Sequence, residues 1–159
     1  MLAECRLVTV TGSGGSGKTR LADQVARRVA SRFADGARLA ELARVADPAQ
    51  VVSAVAAALG VREQPGVPVE QVLARVLARQ QLLLVLDNCE HVIGAAAELC
   101  AGLLAACDDV RVLATSREPL AVTGEARYRL APLSLPGPED HGGGRVGGSG
   151  VVRGPRPAR

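Results

Sequence analysis

Lysine is almost missing from this 159-residue chain, which carries one lysine against 18 arginines. Aromatic residues are nearly as scarce, with one Phe, one Tyr and no Trp. A core built around large rings is therefore excluded, and Ala, Val and Leu must fill it. The four cysteines, Cys5, Cys89, Cys100 and Cys107, form no CxxC pair and follow no signal peptide, which argues against a disulfide framework or a zinc site. Cys89 and His91 lack the second half that a metal site of this type needs. No apolar run reaches the ~18 residues of a membrane span, so no membrane partner is expected and the cytoplasm is the expected compartment.

Excess charge is missing too, once its location is considered. The formal net charge is +3, but residues 1–140 hold 15 basic and 16 acidic side chains. Residues 141–159 hold Arg145, Arg153, Arg156 and Arg159 and no acid. The basic balance belongs to the C-terminal stretch, and the rest presents no general attraction for a polyanion.

What is present alternates between strand and helix patterns. Residues 6–11 alternate and are β-branched, which suits a strand, and they run directly into a glycine-rich loop. Leu21, Val25 and Val29 then recur at four-residue spacing, predicting a helix through Arg32 with these side chains as its buried stripe. A weaker strand is expected at 37–42. Asp47 and Pro48 supply an N-cap and a proline at the first helical position for a helix through Val51, Val52, Val55 and Leu59, ended by Gly60. After a turn at 65–68, Pro68 opens a helix with Val69, Val72, Leu73, Val76 and Leu77 on its apolar face.

Residues 82–86 are an unbroken apolar run ending in Asp87, the pattern of a strand buried on both faces. An alanine-rich helix at 92–106, a strand at 110–115 and a last edge strand around Tyr128, Arg129 and Leu130 complete the series. Such alternation predicts an α/β fold, a parallel sheet with helices on both faces. The domain is expected over residues 1–135. Residues 136–159, rich in Gly, Arg and Pro and without aromatic residues for stacking, read as a disordered, solvated tail rather than a nucleic-acid-binding arm.

The chemistry concentrates in Gly12, Ser13, Gly14, Gly15, Ser16, Gly17, Lys18 and Thr19, which match GxxxxGK[ST] in full between a strand and a helix. Glycines let successive backbone N–H groups turn toward phosphate oxygens, and the helix N-terminus adds favourable potential. Lys18 is then placed for the β- and γ-phosphates, and the Thr19 hydroxyl for Mg²⁺. The lone lysine is explained by this position, since a slim ammonium enters where arginine's planar fork is too bulky. Asp87, at the end of the most hydrophobic strand, is the expected partner for Mg²⁺, with a helix N-cap as its alternative.

Beyond Asp87 the candidate residues fit more than one role. Asn88 stands where many P-loop ATPases place a water-polarising carboxylate. Glu90, or His91, can serve that purpose from further along, and each also fits as an ordinary first-turn residue. Arg117 projects from the same sheet edge to sense a γ-phosphate, or else pairs with Glu118 on the surface. Thr115 or Ser116 can add a hydroxyl.

The segments VTVTGSGGSGKTRLA, ARVADPAQVVSAVAAALGV, LLLVLDNCEH and VRVLATSREPL, in this order, resemble the nucleotide-binding domain of the STAND signal-transduction ATPases. The resemblance spans about residues 6–135 and is nearest to the NB-ARC-like module of large bacterial regulators of the LuxR and antibiotic-regulator type. It implies a P-loop NTPase fold and an ATP/ADP switch, with nucleotide at Gly12–Thr19, Mg²⁺ near Thr19 and Asp87, and Arg117 as sensor. It also implies slow turnover that times a signal, and protein partners or self-association. Relatives carry an adenine-holding segment ahead of the first strand, and a helical lid, a winged helix and often a DNA-binding helix-turn-helix after the last. The chain is expected to lack the lid and any direct DNA-binding element. Two other functions compete: a small P-loop kinase acting on a metabolite, and a pseudo-ATPase interaction module. A separate strand between the P-loop strand and the Asp87 strand fits the ATPase arrangement better than a kinase.

Overall fold

In the computed structural model, which describes residues 1–132, the expected alternation closes into one five-stranded sheet. Strand β1 spans Leu7–Thr11 and leads through the glycine loop into helix α1, Lys18–Val29, extended by a 3-10 turn to Arg32. Strand β2, Ala37–Glu41, is followed by a 3-10 turn at Pro48–Gln50 and helix α2, Val51–Ala58. Helix α3, Val69–Leu77, precedes strand β3, Leu83–Asp87, and helix α4, Ile93–Ala106. Strands β4, Arg111–Ser116, and β5, Glu125–Arg129, complete the sheet. The spatial order is β2-β3-β4-β1-β5, and every pairing is parallel.

Two hydrophobic cores follow from the period-2 alternation of the strands. Val8, Val10, Leu83, Val85 and Leu113 face α1, while Leu7, Leu84, Leu86, Val112 and Ala114 face α2, α3 and α4. Helices thus cover both faces, one on the first and three on the second. All five residues of Leu82–Leu86 are buried, as expected of a strand enclosed on two sides. β2 and β5 form the edges, and Tyr128, on the expected edge strand, is 45% exposed.

Two helix stripes differ from expectation. On α1 the fully buried seam is Ala22 and Ala26, with Leu21, Val25 and Val29 only partly buried around it. Small side chains let the helix axis approach the sheet, and the larger ones pack along its flanks. On α3, Val72, Leu73 and Leu77 are buried, but Val76 is 38% exposed. The nine-residue helix packs against α2 and α4, and Val76 lies on the solvent side of that seam. Pro68 precedes α3 as its cap rather than opening its first turn, and Asp47 caps the 3-10 turn through a 2.9 Å bond accepted from the Ala49 amide. Gly60 adopts the left-handed conformation (φ 69°) that ends α2. The expected tail, 136–159, lies outside the described residues.

Candidate functional site

Parallel strands place their C-terminal ends along one rim, and the turn from β1 into α1 sits on it. Gly12 cannot be replaced there without movement, because an added Cβ would meet the Leu130 carbonyl oxygen and Ser16 Oγ at 2.9 Å each. Gly17 takes φ 89° immediately before α1, a conformation that side chains resist. The loop consequently aims α1's N-terminus, with its unpaired amides and positive dipole end, at the rim.

Lys18 is 8% exposed and donates to the Gly12 carbonyl (3.0 Å) and the Ser13 carbonyl (2.8 Å), so its ammonium lies inside the curl of the loop. Thr19 Oγ1 stands 2.9 and 3.0 Å from the two carboxylate oxygens of Asp87, residues 68 apart in sequence. Asp87 is 7% exposed and also accepts from the Thr115 hydroxyl. That hydroxyl in turn accepts from the Asn88 amide at 2.9 Å, and the Cys89 amide donates to the Thr115 carbonyl. Asn88 adopts φ 66°, a left-handed turn that asparagine tolerates better than most residues. This turn redirects the chain off the strand and leaves the carboxylate on the rim. A hydroxyl and a carboxylate converging on one point are hard oxygen donors, the set that suits Mg²⁺.

A cleft of about 810 Å³ surrounds these groups. Gly14, Gly15, Gly17, Lys18 and Thr19 line it from the loop, with Asp87, Asn88, Glu90, Thr115 and Arg117 across from them. A separate depression of about 740 Å³ lies against Arg6, α4 and residues 121–124, beside the N-terminal end of β1, and contains none of the expected groups.

Arg117 was expected either at the rim or paired with Glu118, and the structure places it at the rim. Its Nε lies 3.6 Å from Glu90 Oε1, and its guanidinium lies where a side chain at Gly14 would meet it, 3.3 Å from an added Cβ. His91 does not line the cleft: its Nε2 donates to the Val45 carbonyl at 2.9 Å, turned toward the loop after β2. The turn that places Glu90 in the cleft sends the next side chain away from it. Thr115 supplies the expected hydroxyl, whereas Ser116 accepts from the Glu118 amide and faces elsewhere. Ser16 is buried within the loop, its hydroxyl without a partner among the described residues.

The structure adds Arg20, Asp23, Arg27, Leu39 and Glu41 to the cleft wall, residues that the sequence reading did not single out. Glu41 had a usable signal, since it ends a strand whose neighbour ends in Asp87. That signal appears only when the strand order is known.

The profile of a family described as AAA domain matches residues 2–125. The chain belongs to the AAA domain family. A Mycobacterium tuberculosis protein named as an HTH-type transcriptional regulator is 43% identical to it over 135 residues, covering 85% of this chain and 15% of that protein. A second protein of that bacterium, named only as uncharacterized, is 40% identical over 135 residues and covers 85% of this chain and 34% of its own length. The chain thus spans well under half the length of these relatives. Among solved structures, Cdc6p from Pyrobaculum aerophilum superposes with a TM-score of 0.51 at 15% identity, over 76% of this chain and 38% of that one. This likeness supports the α/β P-loop fold alone. In this AAA domain no helix among the described residues is long and apolar enough to cross a membrane.

Proposed function

We propose that this AAA domain is the nucleotide-binding switch of a STAND-type regulatory ATPase, of the kind built into large bacterial transcriptional regulators. The observation that carries this reading is the convergence of Lys18, Thr19 and Asp87 at the mouth of α1. A triphosphate chain fits there with its β- and γ-oxygens on the loop amides and the Lys18 ammonium, and Thr19 and Asp87 would hold Mg²⁺. The cation neutralises charge on the phosphates when bound. Arg117, kept at the rim by Glu90, is the candidate for sensing the γ-phosphate. Hydrolysis is slow in this reading, because Asn88 supplies no carboxylate beside Asp87.

The similarity to a mycobacterial protein named as a transcriptional regulator supports a signalling role over a metabolic one. The position of β4 between β1 and β3 favours an ATPase over a small-molecule kinase. Partners are other domains or a second copy of the chain, acting where nucleotide state changes the rim. Incubation with γ-labelled MgATP separates the two enzyme classes. The expected product is inorganic phosphate at a low rate. Efficient transfer of the label to a metabolite pool would instead establish a kinase.

A further inference from the structure

The cleft contains a carboxylate outside the phosphate-binding motif. Glu41 ends β2, is paired in register with Asp87, and lines the same cleft as Lys18 and Thr19. In-register residues on neighbouring strands project to the same face, about 4.8 Å apart. Ala37 and Val85 on that face belong to the core under α1, whereas Ala40 and Leu86 belong to the opposite core. Glu41 and Asp87 therefore both face the N-terminal side of α1.

Of the other acidic or amide groups at the rim, Asp23 pairs with Arg27 on its own helix. Asp87 is bonded to the hydroxyls of Thr19 and Thr115. Glu90 has Arg117 3.6 Å from one carboxylate oxygen, while its other oxygen is buried without a hydrogen-bond partner among the described residues, and the Asn88 amide cannot take a proton at neutral pH. Glu41 is solvent-accessible, and among the described residues no cation pairs with it. It also stands one strand further from β1 than Asp87, where the extra methylene of glutamate extends its reach toward the loop.

We propose that Glu41 is the general base for ATP hydrolysis in this cleft, an assignment that rests on the nucleotide reading above. Its carboxylate accepts a proton from water as the water oxygen bonds to the γ-phosphorus. The bond from that phosphorus to the β–γ bridging oxygen breaks, and its electron pair leaves with ADP. The proton then passes to solvent with the release of inorganic phosphate.

Single-turnover hydrolysis of γ-labelled MgATP by the full chain, with ATP binding measured in parallel by calorimetry, tests the assignment. Glu41→Gln is expected to bind ATP within about threefold of the parent while hydrolysing it roughly a hundredfold or more slowly. Glu41→Asp should recover part of the rate, and Glu90→Gln should lose less than Glu41→Gln. Three results overturn the proposal and leave the nucleotide site standing: hydrolysis by Glu41→Gln at the parental rate, parallel loss of its binding and rate, or a parent that binds ATP yet hydrolyses it no faster than Lys18→Ala. A parent that binds no ATP overturns the site reading itself.

Discussion

At the scale of single residues, burial decides which groups are reactive. Burial pushes the Cys100 thiol up to about 12, and raises Cys89 further, with Cys100, Asp87 and Glu90 nearby adding to the effect. Cys5 is only partly buried, while the other three cysteines are enclosed. Alkylation of the native protein at pH 8 is expected to label Cys5 first, with Cys89 and Cys100 modified only after unfolding; mass spectrometry of peptides reads the order. Glu125 behaves differently. Burial alone would raise its carboxyl, but bonds from the Leu120 amide, Arg127 and the Ala121 amide outweigh this and hold it below the ordinary glutamate value.

A depressed native value means that the unfolded chain binds the proton more readily. The stability contributed by Glu125 is therefore full above its unfolded value and is lost as pH falls through the folded one. Denaturant titrations across that range should show Glu125→Gln less stable than the parent at neutral pH, with the gap closing on acidification. A constant gap at every pH would remove the carboxylate from this role.

At the scale of elements, the sequence pattern found the strands and helices of the described residues, because alternation and four-residue spacing report burial directly, but it set the last strand around 128–130 where β5 spans Glu125–Arg129. It placed the motif strand, the loop and the Asp87 strand correctly, since these are punctuated by glycine, proline and an abrupt change of polarity. It misjudged Val76 and the α1 stripe, because spacing identifies a face and not how closely that face approaches the sheet. The sheet order was also beyond it, and with it the pairing of Glu41 to Asp87, because strands distant in sequence become neighbours only through packing. Leu84 and Val76 separate the two kinds of information. Leu84→Ala, inside β3, should cost about 2–5 kcal/mol in chemical denaturation. Val76→Ala should stay within about 0.5 kcal/mol. A large loss at Val76 would mean that α3 is covered on its outer side as well.

For the whole molecule, a parallel sheet brings the ends of β2, β3 and β4 and the start of α1 to one rim, so a single ligand there touches four separate elements. Such a ligand should stabilise the fold as a unit. At a hundredfold excess over its dissociation constant, MgADP is expected to add about 2.7 kcal/mol, seen as a rise in Tm that Lys18→Ala abolishes. Lys18, with Thr19 and Asp87, is expected to hold a magnesium-bound nucleotide. Isothermal titration of MgADP and MgATP into the parent and into Lys18→Ala tests it most directly. Saturable one-to-one binding by the parent, weakened by at least about tenfold (~1.4 kcal/mol) in the variant, is the expected result. No binding by the parent, or equal binding by both proteins, would contradict it.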